Sequence, residues 1–497
     1  MPSRSIDPRT GAHFGPAFED STSDQIDSAL SRAAVACDVW AAMSDRERAQ
    51  ALRSCADALD ENTESLAKLA DAETALGIGR LTGEVARASF QFRSFADLLD
   101  SGTHHRTVID PEVAGSPPAG HPELLRTYEP VGVVAVFGAG NFPFAFGVAG
   151  GDTASALAAG CAVVIKAHPA HPQTSELTAQ LLQAALGENG AAAGTLELVQ
   201  GFDAGRQIIL DPRVSAAAFT GSEAGGRALF DLAASRPIPI PFYGELGSVN
   251  PVVVLPSALA SGPDKLAEEY VSSLTLGAGQ FCTNPGLLLV PTEGGLAARI
   301  ERVAAEQLPM TLLSNSTRDL LERHLDLVKQ IAGPVRVTEG LPAGPGISHP
   351  VVVLTVHADA AATELDALTT ECFGPVGMVV EYDDPAAALA LVSRLPGCLV
   401  GTVHAADDDE IADDFVRELG RRAGRLVWNG WPTGVAVSHA QQHGGPYPAS
   451  TSSFHTSVGA PAIERFLRPV AYQAFPASRL PSRLQPGRTG AEPFPGS

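Results

Sequence analysis

Residues 130–166 have the sequence PVGVVAVFGAGNFPFAFGVAGGDTASALAAGCAVVIK. The valine-rich part, Val131–Phe137, predicts a buried strand, and Ala162–Ile165 is the next apolar run of strand length. Between them lie a Gly-rich turn and an Ala-rich stretch at 153–159 that predicts a helix. A strand, a helix and a second strand in this order predict a βαβ unit with parallel strands.

The same alternation continues along the chain. Strands are predicted at Leu196–Gln200 and Ala216–Phe219, and a helix at 174–186. The uncharged stretch Val131–Gly151 is long enough to span a membrane, but its glycines, Asn and Pro favour a strand, a turn and the start of a helix. We therefore expect an α/β fold whose ligands bind at the carboxyl ends of parallel strands.

The segment before this unit is predicted to be helical. Apolar residues recur at helical spacing in 26–40 and 52–69, and a third helix is expected over Thr82–Leu99. Residues 102–122 break the pattern with Gly, Pro and His, and we interpret them as a linker to a strand at Leu124–Tyr128.

A second series of βα units begins near Ser248 and runs to about Trp428. It starts with a strand at Asn250–Leu255 and a helix at Pro263–Leu276. The tail from Ala474 is rich in Pro, Ser and Arg, which predicts an extended arm that is disordered at its end.

Composition narrows the class of protein. The 497 residues carry a net charge of −22, which argues against partners such as nucleic acid or anionic membranes. The N-terminal segment has no apolar core and does not resemble a secretory signal. Six scattered cysteines without paired spacing suggest neither zinc nor a redox pair, so we expect reduced thiols, no metal and a cytoplasmic location.

Cys282 is the candidate nucleophile. It lies in LGAGQFCTNPG, where Gly277 and Gly279 allow the positive φ of a tight bend. A buried structural Cys is the alternative, and the residues of this loop alone do not exclude it. Glu245, in FYGELGSVNP, is a single carboxylate among apolar and small residues.

Two segments could bind phosphate. GAGNFP at 138–143 lacks the last glycine of the dinucleotide fingerprint and is a weak match. TGSEAGG at 220–226 is the better candidate, because Ser222 would begin a helix whose free N–H groups favour a pyrophosphate. On the residues alone, an ordinary N-cap serine is the favoured interpretation of Ser222.

Five segments in order resemble the aldehyde dehydrogenase superfamily: GNFP at 140–143, FTGS at 219–222, GELGSVNP at 244–251, GQFCT at 279–283 and ECFGP at 371–375. The resemblance covers nearly the whole chain. WNGWPTGV at 428–435 and HGGPYP at 443–448 are most similar to the NADP-preferring 2-oxoglutarate semialdehyde (2,5-dioxopentanoate) dehydrogenases. NADP-linked long-chain aldehyde dehydrogenases of luminescent bacteria are also similar.

The resemblance implies a division into three parts. A Rossmann-type cofactor domain would comprise 1–108 and 128–247, and an α/β catalytic domain 248–440. A small oligomerisation arm would comprise 109–127 and 460–497, and would join subunits into a homodimer or homotetramer.

It also implies the reaction, which is NAD(P)-dependent oxidation of an aldehyde to a carboxylic acid without a metal. Cys282 would form a thiohemiacetal and then a thioester. The side-chain amide of Asn141 and the backbone N–H of Cys282 would stabilise the oxyanion. Glu245 would activate the hydrolytic water, and we expect its apolar setting to raise its pKa.

The implied cofactor residues are spread over several segments. The pyrophosphate would lie at the helix that starts at Gly221 and Ser222, and Lys166 would contact the adenine ribose. Positive charge from Lys166, His168 and Arg206 would favour the 2′-phosphate of NADP, with NAD as the alternative. Glu371 would hydrogen-bond the nicotinamide ribose, and Phe373 would lie against the ribose or the nicotinamide.

The substrate leaves two alternatives within the enzyme class. 2-Oxoglutarate semialdehyde needs a cation near its carboxylate, which could be Arg93 if that residue is not simply on the surface. A long apolar aldehyde would instead use the phenylalanines Phe142, Phe144, Phe281 and Phe454, unless they are plain core. A non-catalytic relative that keeps only the fold is the alternative from another class.

Overall fold

The computed structural model describes residues 3–329, 335–365, 369–481, 484 and 485. Its helices are α1 Ser23–Ala42, α2 Asp45–Glu61, α3 Thr63–Thr74, α4 Ile78–Ser101, α5 Gly151–Ala159, α6 Pro172–Glu188, α7 Phe202–Leu210, α8 Glu223–Ser235, α9 Pro263–Thr275, α10 Leu296–Ala305, α11 Asn315–Lys329, α12 Ala358–Ala361, α13 Pro385–Val392 and α14 Ala412–Gly420. Its strands are β1 Ser3–Asp7, β2 Ala12–Phe18, β3 Val108–Asp110, β4 Leu124–Pro130, β5 Val133–Phe137, β6 Val163–Lys166, β7 Leu196–Val199, β8 Val214–Thr220, β9 Phe242–Glu245, β10 Pro251–Val254, β11 Leu287–Pro291, β12 Met310–Thr311, β13 Arg336–Glu339, β14 Ser348–His349, β15 Val352–His357, β16 Val376–Tyr382, β17 Cys398–His404, β18 Ala423–Trp428 and β19 Leu467–Gln473.

The first sheet is parallel and has the strand order β7–β6–β5–β8–β9. Side chains of β5 alternate between its two faces: Val134 and Val136 pack in the core with α2, α4, α5 and α6, whereas Val133 and Ala135 pack with α1 and α7. Because both faces are covered, the strands are uniformly apolar. The predicted parallel α/β sheet is therefore confirmed, and the uncharged stretch after Val131 is a strand, a turn and the start of α5.

The second sheet has the order β13–β15–β16–β11–β10–β17–β18, and only the edge strand β13 runs antiparallel to its neighbour. Val252 and Val254 face α9 and α10, while Val253 faces the opposite core. The loop between α9 and the central strand β11 carries Cys282. The nucleophile candidate thus stands at the edge of a rigid, doubly covered sheet.

A third, antiparallel sheet joins β3, β4 and β19. It pairs the two sequence segments predicted to form the oligomerisation arm; the role and boundaries of that arm remain predictions. Of the predicted tail from Ala474, the structure describes residues 474–481, 484 and 485. The predicted disorder at its end falls on residues 486–497, which lie outside the described part.

Two features of the N-terminal part differ from the prediction. Four helices, α1 to α4, stand where three were expected, because Asn62 ends α2 and immediately precedes α3. A break of one residue leaves the apolar spacing almost unchanged. The hairpin of β1 and β2, with Gly11 at φ 72° in its turn, was not predicted, since its strands are too short and exposed to alternate clearly.

Residues 441–459 lie between the predicted catalytic domain and arm, and they return to the first sheet. Leu246 N–H donates to the carbonyl of Ala449, and Thr451 N–H to that of Gly244. This contact brings the end of the chain beside Glu245 at the end of β9. Within the described ranges, none of the helices is both long and apolar enough to cross a bilayer.

Candidate active site

The loop before Cys282 has a left-handed backbone. Gly277, Ala278 and Gly279 have φ of 58°, 59° and 69°, which confirms the predicted glycine bend. A Cβ on Gly279 would collide with the carbonyl of Gly374. Both its φ and this close approach therefore require glycine at position 279.

Asn250 holds the loop that carries Cys282 by hydrogen bonds. Its Nδ2 donates to the carbonyl oxygens of Cys282 at 2.8 Å and Asn284 at 3.0 Å, and its Oδ1 accepts from Val400 N–H at 3.1 Å. The side chain is fully buried, so its polar atoms must be paired within the protein. The amide of Asn250 therefore links the loop that carries Cys282 to β17.

Asn141 follows β5 and is buried against the same loop. Its Nδ2 donates to the carbonyl of Gln280 at 2.9 Å, and its backbone carbonyl accepts from Arg80 Nη2 at 2.6 Å. A side-chain amide carries two N–H donors. Among the described residues Nδ2 makes this one hydrogen bond, so its second N–H is open to a ligand near Gln280, two residues before Cys282.

Glu245 and Cys282 meet at His443, which comes from the returning segment 441–459. His443 Nε2 lies 2.7 Å from Glu245 Oε1 and 3.6 Å from Cys282 Sγ. Ser457 Oγ donates to the other carboxylate oxygen, Oε2. Glu245 and His443 are both buried, so the three groups form one enclosed network that can move a proton.

This network sets the pKa values of the two acidic groups. Burial acts to raise the pKa of Glu245, but the charge and hydrogen bonding of His443, with hydrogen bonds from Ser457 and Cys282, lower it below its usual value. The expectation that its setting raises this pKa is wrong, because the sequence around Glu245 gives no sign that His443 lies beside it. Burial and the carboxylates of Glu245 and Glu371 raise the pKa of the Cys282 thiol well above its usual value.

The start of α8 has the features of a phosphate site. Ser222 is its N-cap, and its Oγ accepts from Gly225 N–H at 3.3 Å, which confirms the predicted helix start after Gly221. A Cβ on Gly226 would collide with Leu246, so the helix packs closely on the segment after β9. Thr220 Oγ1 is buried there, with no hydrogen-bond partner in the described part of the chain. Free N–H groups and an unpaired hydroxyl fit the phosphates of a dinucleotide.

Lys166 ends β6 at the same edge of the sheet. It is half-buried, and burial lowers its pKa to about 8. Arg206 lies exposed on α7, and a Cβ on its neighbour Gly205 would lie 3.9 Å from the Lys166 side chain. These two cations therefore occupy adjacent elements.

His168 does not supply the expected positive charge. Its ring stacks on His171, with centroids 5.4 Å apart, and its Nδ1 accepts from Ala170 N–H at 3.2 Å. Burial lowers its pKa well below the usual value, and the charges of His171 and Lys166 act in the same direction. A neutral imidazole cannot attract a 2′-phosphate by charge. Instead, its ring fills the space beside Gly140, where a Cβ would collide with it.

Glu371 and Phe373 line a small cavity together with Phe281, Gly279 and Ser248. Burial, with a smaller contribution from the charge of Glu223, raises the pKa of Glu371 to about 8. The cavity adjoins the loop that carries Cys282. Both residues are thus placed where a group bound beside the nucleophile would meet them.

Of the predicted substrate residues, the structure brings two together. The rings of Phe142 and Phe281 meet edge to face, with centroids 5.0 Å apart, and Phe146 lies 5.5 Å from Phe142. Phe454 is 92% exposed and belongs to the surface of the subunit.

Arg93 is not part of this site. Its guanidinium forms ion pairs with Asp57 at 2.6 Å and Asp60 at 2.7 Å on the surface, so the surface alternative describes it. Arg80, on the same helix, reaches the site instead, and its guanidinium carbon lies 4.8 Å and 4.9 Å from the ring centroids of Phe142 and Phe281.

Sequence reasoning assigned no role to His443, Ser457 or Arg80. HGGPYP marked a branch of the family. A histidine followed by two glycines was a usable signal for a buried, closely packed side chain. Ser457 and Arg80 stand in segments without such a signal.

Comparison with known proteins agrees with this geometry. The profile of the aldehyde dehydrogenase family matches residues 2–470. The chain is 41% identical over 490 residues to alpha-ketoglutaric semialdehyde dehydrogenase 2 of Azospirillum brasilense, covering 97% of this chain and 93% of that protein. It is 38% identical over 476 residues to alpha-ketoglutaric semialdehyde dehydrogenase of Acinetobacter baylyi, with coverage of 95% and 90%.

A solved structure shows the same architecture. Gamma-glutamyl-gamma-aminobutyraldehyde dehydrogenase of Burkholderia cenocepacia superposes with a TM-score of 0.79 at 25% identity, covering 95% of this chain and 92% of that one. The chain therefore belongs to the aldehyde dehydrogenase family, for which NAD(P) is the typical cofactor, and is an oxidoreductase that acts on aldehydes.

Proposed function

We propose that this protein oxidises 2-oxoglutarate semialdehyde to 2-oxoglutarate. The observation that carries the proposal is that two curated relatives, matched over nearly their whole length at 41% and 38% identity, are named as dehydrogenases of this aldehyde. Cys282, Glu245 and Asn141 support an active enzyme, because all three converge on one buried site. No such convergence would be needed in a non-catalytic relative.

Cys282 is the nucleophile in this proposal. Its Sγ bonds to the aldehyde carbon while the thiol proton passes to the carboxylate of Glu245, which is hydrogen-bonded to Cys282 and accepts from His443 Nε2. A base is needed because the raised pKa keeps the thiol protonated at neutral pH. The free N–H of Asn141 and the backbone N–H of Cys282 receive the oxyanion, and losing one such donor typically costs roughly a hundred- to a thousandfold in rate.

Hydrolysis then returns the enzyme to its starting state. When bound, the nicotinamide cofactor supplies the hydride acceptor for the oxidation. The acyl group left on Cys282 is a thioester, and water attacks its carbonyl carbon as the C–S bond breaks. Glu245, once it has released the thiol proton to solvent, takes a proton of that water on its carboxylate, which His443 and Ser457 hold in place by hydrogen bonds.

The proposed cofactor is NADP, with NAD as the alternative. Gly221 and Ser222 would hold the pyrophosphate, and Glu371 and Phe373 the nicotinamide end. Lys166 and Arg206 support the choice of NADP, because they place two cations where the end of β6 meets α7. The ratio of kcat/KM for NADP to that for NAD tests it.

Three further properties belong to the proposal. A homodimer or homotetramer would form through the sheet of β3, β4 and β19, and light scattering would measure its mass. A cytoplasmic location is supported by six free cysteines. Chemistry without a metal predicts full activity after dialysis against a chelator.

A long-chain aldehyde is the second candidate substrate. The observation in its favour is the apolar cluster of Phe142, Phe146 and Phe281 beside Cys282. Such a wall would bury an alkyl chain.

The deciding experiment is an assay of reduced cofactor formation with purified protein. 2-Oxoglutarate semialdehyde and octanal are each offered with NADP and with NAD, to wild type and to Cys282→Ala. Efficient turnover of the acid, lost in Cys282→Ala, supports the proposal. Preference for octanal would keep the mechanism and reject the substrate.

A further inference from the structure

Two arginines donate hydrogen bonds to the same loop, residues 432–435, beside the active site. Arg87, on α4, donates from Nη1 to the carbonyl of Val435. Arg425, on β18, donates to the carbonyls of Gly434 at 2.9 Å and of Pro432. Nη1 of Arg87 and both terminal nitrogens of Arg425 are thus fixed to residues 432–435, and the remaining guanidinium nitrogens are held in defined places.

The remaining guanidinium nitrogens have no partner among the described residues. Nε and Nη2 of Arg87 and Nε of Arg425 are buried and make no hydrogen bond among the residues that the structure describes. Nε–H and Nη2–H form one edge of a guanidinium and point in parallel, which suits the two oxygens of a carboxylate. Arg32 shows this pairing elsewhere in the molecule, where its Nε and Nη2 donate to the two carboxylate oxygens of Glu197 at 2.6 Å and 2.8 Å.

Arg87 lies close to the reacting atoms. Its guanidinium carbon is 5.8 Å from the ring centroid of Phe146, and that ring is 6.1 Å from the imidazole of His443, which contacts Cys282. The charge of Arg87 interacts with those of Cys282 and Glu245, and the charge of Arg425 with that of Cys282. A short molecule attached to Cys282 could therefore reach the free edge of Arg87.

The positive charge is not balanced by an ion pair. In the described ranges neither Arg87 nor Arg425 has a carboxylate within 4.0 Å. Glu84 is the acid that interacts most with Arg87, but it accepts hydrogen bonds from the N–H groups of Phe144 and Ala145 instead. Both side chains are half-buried, and leaving their buried N–H groups unpaired is costly, so the subsite suits a negative ligand.

We infer that Arg87 binds the carboxylate of the substrate through its Nε–Nη2 edge, and that Arg425 adds a second cation to the same subsite. The identity of the acid rests on the proposed function, whereas the carboxylate subsite rests on the two arginines. The subsite replaces the one expected at Arg93. It would select a short aldehyde that ends in a carboxylate over an apolar aldehyde of the same length.

The test compares Arg87→Lys and Arg87→Gln with Arg93→Gln, a matched control on the surface of the same helix. Each is assayed with 2-oxoglutarate semialdehyde and with pentanal, an uncharged aldehyde of five carbons. We expect kcat/KM for the acid to fall on the order of a hundredfold in both Arg87 variants, mainly through KM. For pentanal it should change little, and Arg93→Gln should match wild type with both aldehydes.

An equal loss with both aldehydes would assign Arg87 to the support of residues 432–435 and overturn the inference. An unchanged ratio of kcat/KM for the semialdehyde to kcat/KM for pentanal would also overturn it. Arg87→Lys guards against misfolding, because an ammonium can still donate to Val435, and melting curves are recorded for each variant.

Inhibition separates this inference from the proposed function. If wild type does not prefer the semialdehyde, the proposed function fails, but 2-oxoglutarate should still compete with pentanal in wild type and much less in Arg87→Lys. Equal inhibition of the two proteins, or none of either, would reject the carboxylate subsite.

Discussion

The imidazole of His443 and the carboxylate of Glu245 lie 2.7 Å apart in the protein interior. The same imidazole nitrogen, Nε2, is 3.6 Å from Sγ of Cys282. Because the carboxylate can only accept, Nε2–H donates to Glu245, and Glu245 is the group that can take the thiol proton. Because the thiol pKa is raised, Cys282 needs this base to react at neutral pH.

Replacing His443 by Gln should separate proton transfer from packing. Gln fills similar space and can still donate to Glu245, but it lacks the charge that keeps the buried Glu245 carboxylate ionised and able to take the thiol proton. We expect kcat to fall roughly a hundred- to ten-thousandfold, and alkylation of Cys282 by iodoacetamide to slow in parallel. His439→Gln, an exposed histidine four residues earlier, is the control. Unchanged kcat and alkylation in His443→Gln would remove His443 from the mechanism.

Gly279→Ala should disable the nucleophile loop. The added Cβ would meet the carbonyl of Gly374 in a backbone with φ 69°, so the loop must move and carry Cys282 with it. Gly295→Ala is a matched control, because Gly295 has φ 62° and open space around its Cβ position. We expect activity to be lost in Gly279→Ala and kept in Gly295→Ala. Because both positions have a positive φ, comparable activity in the two variants would show that the loop accommodates the contact with Gly374.

Arg206→Gln should weaken the preference for NADP. An exposed cation beside Lys166 is expected to contact a 2′-phosphate, and losing one charge-assisted hydrogen bond typically costs about tenfold or more in affinity. The KM for NADP should rise by that factor while the KM for NAD stays the same, which makes NAD the internal control. Equal changes with both cofactors would contradict the assignment.

Features carried by local sequence could be predicted. The strand β5, the start of α8 at Ser222 and the bend at Gly277 and Gly279 follow from periodicity, capping and φ, which act within a few residues. The contact of Glu245 with His443 does not, since it depends on a return of the chain from the far end. The pKa of Glu245 was therefore expected to move in the wrong direction.

The arginines of α4 make the same point. Arg87 and Arg93 are six residues apart, which places them about a third of a turn from each other around the helix. Which of them faces the site depends on where Phe146 and residues 432–435 pack, and both belong to other elements. Sequence reasoning named Arg93, which the structure places on the surface, and did not consider Arg87, the residue proposed above.

Glu84→Gln should change stability in a pH-dependent way. Glu84 is buried, and burial raises its pKa to about 7, although the charge of Arg80 and the hydrogen bonds from Phe144 and Ala145 act in the opposite direction. The unfolded chain releases this proton at a lower pH than the folded protein. The contribution of Glu84 to stability is therefore complete at acidic pH and is lost as pH rises towards about 7.

The penalty for Glu84 at alkaline pH is on the order of 3 kcal/mol. Gln keeps the oxygen that accepts from Phe144 and Ala145 and cannot ionise, so the variant avoids this loss. We expect it to melt at a higher temperature than wild type near pH 8 and at a similar temperature near pH 5, measured by differential scanning fluorimetry. A difference of the same size at both pH values would mean that packing, and not the charge of Glu84, separates the two proteins.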